Sequence, residues 1–165
     1  METNESFSYP ADVESVFQLM GDEEFLKEKF SSLGQRDFTV TAHEESEGGR
    51  RLSTTRVVDT NIPSFAKRIL GATNTLVQTE EWSAPEAGGG RTGRWAVEIS
   101  GSPVRMGGTM RLEPKGEHCV HQISVAVTAS VPLIGGKIAD FAGRQAVDML
   151  RQETRFGAEW LASRS

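Results

Sequence analysis

Cysteine is scarce in this sequence, which has one such residue, Cys119, and three histidines among 165 residues. A single cysteine cannot form an internal disulfide or a metal site made of cysteines alone. Low cysteine content is typical of proteins kept in a reducing compartment, so we predict a cytoplasmic location. The shortage of both residue types also leads us to expect no bound metal and no cofactor.

Long hydrophobic runs are also missing. No segment reaches the roughly 18 apolar residues that a membrane span requires, and none is predicted. The opening residues Met1–Glu5 are polar and acidic, unlike the basic and then apolar start of a signal peptide, so we do not expect export. The net charge of −5 argues against binding along nucleic-acid phosphates, which calls for a basic face.

The composition that remains is that of an ordinary globular protein. Hydrophobic residues make up 37% of the chain and charged residues 25%. A length of 165 residues is enough for one well-cored domain and too short for two. We therefore predict a single domain over residues 1–165.

The spacing of apolar residues predicts two short helices near the start of the chain, after a first strand at residues 6–9. Asp12 is a good N-cap, and apolar residues follow it at helical spacing from Val13 to Met20. A second helix is expected from Asp22, with Gly34 ending it.

The middle of the chain changes to a period of two. Alternating apolar and polar residues predict strands near residues 38–43, 50–59, 75–84, 93–99, 105–112 and 118–130, with a short helical insert before Gly71. No proline interrupts the final segment, which predicts one long amphipathic helix over residues 136–162. The order indicates an α+β fold: about seven antiparallel strands covered by a terminal helix.

Four segments make the chain resemble a known superfamily: Phe7–Val13, Gln78–Trp82, Gly101–Pro103 and Val131–Ile138. The sequence is similar to the helix-grip fold of the START/Bet v 1-like (SRPBCC) superfamily, and within it to DUF2505, an actinobacterial family of unknown function. The resemblance implies a curved sheet around the long C-terminal helix, with a cavity for an apolar ligand between them. It implies no catalytic residues.

Alternation within the strands and along the last helix predicts which side chains would line such a cavity. We expect a lipid, isoprenoid or polyketide-like ligand to be the small-molecule partner, and the sequence names no protein partner. Small residues around Gly143 would either give this helix close packing or leave room for the ligand. The predicted lining residues are Trp95, Val97, Ile99, Met106, Met110, Leu112, His121, Ile123, Val125, Phe141, Gln145 and Met149.

An enzyme of cyclase, dehydratase or hydrolase type using the same cavity is the alternative, with His121 as its first candidate base. No catalytic signature supports it, so no catalytic residue is predicted. Glu80 and Glu81 are consecutive on a strand and face opposite ways, which disfavours a carboxylate pair. A metal at His118, Cys119 and His121 is disfavoured because His118 points away from the other two.

A protein-docking module is the third alternative. It would be favoured by an exposed apolar patch on a structure that has no cavity. The inward or outward direction of Arg56 and Gln78 cannot be assigned, because the alternation of their strands is weak.

Overall fold

The computed structural model describes residues 1–164 and has the predicted α+β architecture. Its elements follow in the expected order, and a single 3-10 turn, Ser64–Ala66, stands where the helical insert was predicted. The elements are β1 (Glu2–Tyr9), α1 (Val13–Met20), α2 (Glu23–Ser32), β2 (Arg36–Ser46), β3 (Gly49–Asp59), β4 (Thr73–Trp82), β5 (Arg91–Ile99), β6 (Val104–Lys115), β7 (His118–Ala129) and α3 (Gly135–Ser163).

All seven strands form one antiparallel sheet in the order β1-β7-β6-β5-β4-β3-β2. The first strand begins earlier than predicted, because Glu2 to Glu5 pair with β7 although they are acidic and polar; Glu5 lies opposite Ile123. Pairing with a neighbouring strand satisfies their backbone groups and outweighs their weak strand propensity. The sheet curves around α3, as the resemblance implied.

The helix starts follow from local hydrogen bonding. The Asp12 carboxylate accepts a hydrogen bond from the Ser15 amide at 2.8 Å, and the Asp22 carboxylate accepts from the amides of Glu24 and Phe25. Directly after α2, Gly34 adopts a positive φ of 79°, a conformation that glycine takes without strain. These caps fix two short helices at the end of the sheet.

The long helix α3 is unbroken and packs against β7, β1 and β6. Its buried face includes Ile138, Ala139 and Ala142, which belong to the main hydrophobic core. A smaller second core, formed mainly by α2 with Leu52 of β3, lies beside the last turns of α3. The predicted terminal helix is thus confirmed, with its ends one residue further out on each side.

A local interruption between β6 and β7 positions Trp95. Pairing of these strands is broken at Gly108 and Thr109, where the Thr109 amide donates instead to Ser124 Oγ at 2.7 Å. The Trp95 indole donates to the freed Ser124 carbonyl at 3.0 Å. A Cβ on Gly108 would collide with that same carbonyl, so glycine is required there. The indole is thereby held against the inner face of the sheet.

Candidate functional site

A cavity of about 160 Å³ lies between the sheet and α3. Side chains from β3 to β7 form one wall, α3 forms the opposite wall, and α1 and α2 contribute one end. Most of the lining is apolar. The residues predicted from the sequence that line it are Trp95, Val97, Ile99, Met106, Met110, His121, Ile123, Phe141, Gln145 and Met149.

Two predicted residues, Leu112 and Val125, do not line this cavity. Both point inward as the alternation predicted, and they are 0% and 1% exposed. They belong to the tightly packed part of the core, beyond the reach of the cavity. Alternation identifies the inner face of a strand, but it does not show how far along that face a cavity extends.

One end of the cavity is polar, and the sequence did not predict this. The Lys29 ammonium of α2 forms an ion pair with the Glu153 carboxylate of α3 at 3.0 Å. Both side chains are largely buried, at 12% and 16% exposure, so water screens this pair less than a surface pair. The ion pair joins α2 to α3 at the cavity wall.

A chain of hydrogen bonds runs along the sheet beside this ion pair. Arg56 Nη1 donates to Gln78 Oε1 at 2.8 Å, and Gln78 Nε2 donates to Glu80 Oε1 at 2.7 Å. Arg56 Nε also donates to Gln35 Oε1 at 2.6 Å. Arg56, Gln78 and Glu80 all line the cavity, which assigns the inward directions that the sequence left open.

Glu80 is the buried carboxylate of this group. Burial raises its pKa above the usual range, while the positive charges of Lys29 and Arg50 oppose this shift. Glu81 points to the opposite face and pairs with Arg94 at 2.7 Å, which confirms that the two neighbours diverge. The cavity therefore holds titratable groups that the sequence alone did not bring together. Glu80 lies two residues before the buried Trp82, so both side chains point to the same face of β4. This spacing was the sequence signal that could have placed Glu80 inside.

His121 lies in the cavity wall with its ring beside Tyr9 and Trp82, at centroid distances of 6.3 and 6.1 Å. Its Nε2 atom is buried, and no described residue hydrogen-bonds to it. Burial, and then the charge of Lys29, lower its pKa from 6.5 to about 4. The imidazole is therefore neutral at neutral pH, and its Nε2 atom can form a hydrogen bond with an uncharged ligand group.

The neighbouring thiol offers no second reactive group. Cys119 is completely buried, and burial raises its pKa to about 11, so it remains protonated at neutral pH. His118 is exposed on the other face of β7. Within residues 1–164, no three His, Cys, Asp or Glu side chains are grouped so that they could hold a metal ion.

One protein-family model matches most of this chain. It is described as a protein of unknown function, DUF2505, and it matches residues 4–161. The chain belongs to the DUF2505 family. None of the curated proteins compared with it matches.

Solved structures show the fold that this DUF2505 protein shares with more distant proteins. TTHA0849 from Thermus thermophilus has a TM-score of 0.69 at 19% identity, covering 100% of this chain and 99% of that one. Ara h 8.0201 has a TM-score of 0.62 at 12% identity, covering 99% and 98%. A START superfamily protein from Mycobacterium smegmatis has a TM-score of 0.56 at 12% identity, covering 97% and 98%. The helix-grip fold is thereby shown.

The small residues of α3 in this DUF2505 protein have different roles. Ala142 and Ala146 line the cavity, whereas Gly143 does not. A Cβ on Gly143 would collide with the Met1 side chain, so this glycine makes room for the N-terminal residue beside α3. Of the two expectations, the contact with Met1 favours close packing at Gly143, whereas Ala142 and Ala146 border the cavity. In the described part of the chain, no helix is long and apolar enough to cross a membrane.

Proposed function

We propose that this protein binds an apolar small molecule, of lipid, isoprenoid or polyketide-like aromatic type, between the sheet and α3. The observation that carries the proposal is the cavity of about 160 Å³ with a mainly apolar wall. Protein interiors are normally packed without such gaps. Apolar cavities of about this size take up small apolar molecules. A bound ligand would restore the contacts that the wall residues lack.

The fold gives independent support of a weaker kind. START and Bet v 1-like folds typically hold small hydrophobic ligands in the space between sheet and C-terminal helix, although one fold can serve many functions. Seven residues at predicted inner-face positions of the strands line that space: Trp95, Val97, Ile99, Met106, Met110, His121 and Ile123. The cytoplasmic location and the single-domain organisation remain predictions.

Filling the cavity is the direct test. Ala142 is 5% exposed and lines the cavity, so Ala142→Leu places additional side-chain atoms inside it. We expect 1-octanol, geraniol or naphthalene to raise the melting temperature of the original protein as ligand concentration rises. The Ala142→Leu variant should lose this increase. Ala162→Leu, at an exposed position of the same helix, is the matched control and should keep it.

A flat response in thermal unfolding would contradict the proposal. If none of the three probes changes the melting temperature of the original protein, the cavity does not bind apolar molecules. If a probe stabilises the Ala142→Leu variant as much as the control, the molecule binds elsewhere on the surface.

The enzyme alternative is favoured by one observation: Glu80 and His121 of the sheet line the same cavity as Glu153 of α3. A neutral imidazole and a carboxyl group of raised pKa within one cavity are a combination found in acid–base catalysis. We expect His121→Ala to change stability or ligand affinity rather than abolish a turnover. The test is to incubate hydroxylated isoprenoids with the original protein and with His121→Ala, and to analyse the recovered molecules by mass spectrometry. Loss of water with the original protein but not with the variant would establish the enzyme.

The protein-docking alternative was tied to a structure without a cavity. The cavity favours small-molecule binding instead. Large exposed apolar side chains in the described chain are Phe65, in the 3-10 turn, and Leu133, in the connection between β7 and α3. Scattered residues of this kind are normal on a protein surface.

A further inference from the structure

Arg56 is an unusual member of the cavity wall because its charge is buried without an ion pair to any residue that the structure describes. The side chain comes from β3 and is 4% exposed. Its guanidinium lies over the Phe30 ring, 4.3 Å from the ring centroid. Its hydrogen-bond partners are neutral amide oxygens, those of Gln35 and Gln78. A buried guanidinium normally has an anionic partner, since burial of an unpaired charge is costly.

The geometry of these two bonds leaves part of the guanidinium free. Arginine has five N–H donors in one plane. One donor on Nε and one on Nη1 are used, at 2.6 and 2.8 Å, and Nη2 has no hydrogen-bond partner among residues 1–164. The two amides and the Phe30 ring fix the plane of the group. The unused donors are therefore held in place before any ligand arrives.

The carboxylates near Arg56 are already engaged with other groups. Glu153 pairs with Lys29 at 3.0 Å. Glu80 accepts a hydrogen bond from Gln78, and burial raises the pKa of its carboxyl group. Neither forms an ion pair with Arg56, although both charges act on it from a distance. The cavity thus contains a cation whose nearest partners are neutral.

We propose that Arg56 binds the carboxylate of an amphipathic acid whose apolar part occupies the cavity. A planar carboxylate matches the planar guanidinium and can accept two parallel hydrogen bonds from it. The apolar wall formed by Trp95, Met110 and Met149 would then contact the chain or ring of the same molecule. This inference rests on the proposed function and narrows its ligand to an acid.

A comparison of two probes on the unmodified protein tests this without any mutation. Octanoate and methyl octanoate have the same eight-carbon acyl chain, but only octanoate is charged at pH 7.5. We expect calorimetric titration to give octanoate an affinity about tenfold higher or more. Equal affinities would overturn the role of the carboxylate and leave apolar binding intact. Failure of both probes to bind would overturn this inference, whereas the proposed function is decided separately by the melting-temperature test with 1-octanol, geraniol and naphthalene.

Substitution of Arg56 assigns the preference to this residue. Arg56→Gln should weaken octanoate binding about tenfold or more and change the affinity for methyl octanoate less than twofold. Arg105→Gln, which removes a positive charge from the exposed face of β6, is the matched control and should leave both affinities unchanged. If Arg56→Gln folds and keeps the preference for octanoate, Arg56 is not the anchor. If it does not fold, the comparison of the two probes decides.

Discussion

Lowering the pH should destabilise this protein through His121. Burial and the nearby Lys29 lower the pKa of this imidazole from 6.5 to about 4 in the folded chain. In the unfolded chain the group protonates near its ordinary pKa. Between pH 6.5 and 4, the unfolded state therefore binds a proton that the folded state does not, so the free energy of unfolding decreases as the pH falls.

The size of the effect follows from these two pKa values. At pH 4.5 His121 should cost about 2.5 kcal/mol of stability, against almost nothing at pH 7.5. Urea unfolding of the original protein and of His121→Phe at both pH values measures it, because the other titrating groups are present in both proteins. Relative to the original protein, the variant should gain about 2.5 kcal/mol between pH 7.5 and 4.5. The matched control, His118→Phe at an exposed position of the same strand, should not show this gain in stability. An unchanged difference between His121→Phe and the original protein would refute the reasoning.

Three further predictions concern stability in urea unfolding. Leu112→Ala, in the packed core, should lower the free energy of unfolding by about 2–5 kcal/mol. Met110→Ala should lower it less, because the Met110 side chain borders the cavity. Equal losses would indicate a filled core. Gly108→Ala should lower stability by about 1–3 kcal/mol, since the added Cβ meets the Ser124 carbonyl, and a neutral effect would show that this part of the sheet adjusts freely. Because burial raises the pKa of Glu80, its ionisation at high pH opposes folding; Glu80→Gln should therefore stabilise the protein more at pH 8 than at pH 4, and the opposite trend would contradict a buried carboxyl.

The sequence predicted the fold well because local patterns determined it. The period of two gave the strands and the uninterrupted apolar stripe gave α3, and both signals are independent of the rest of the chain. The start of β1 was missed for the opposite reason. Residues Glu2 to Glu5 form a strand only because β7 supplies their backbone partners, and such pairing leaves no pattern in the local sequence.

The apolar half of the site was predictable, and the polar half was not. Trp95, Met110 and Ile123 follow from strand alternation. Lys29 and Glu153 meet only because α2 and α3 come together in the fold, across a separation that no local spacing encodes.

The direction of Arg56 was left unassigned for another reason. Its strand, β3, has polar or small residues on both faces, so hydrophobic alternation does not show which face is inside. A buried polar face is the feature that sequence periodicity describes least well. The inward direction of Arg56 became clear only from the register of β3 and β4 and from the hydrogen bonds between their side chains.

Direct observation of a ligand beside the methionine methyl groups would test the central claim. The chain has five methionines; Met20, Met106, Met110 and Met149 line the cavity, whereas Met1 packs against Gly143 outside it. With methionine methyl groups labelled with carbon-13 and octanoate added, nuclear Overhauser contacts should join ligand protons to the cavity methyls and not to Met1. Contacts to none of the cavity methyls, under conditions where octanoate is bound, would contradict a ligand site between the sheet and α3.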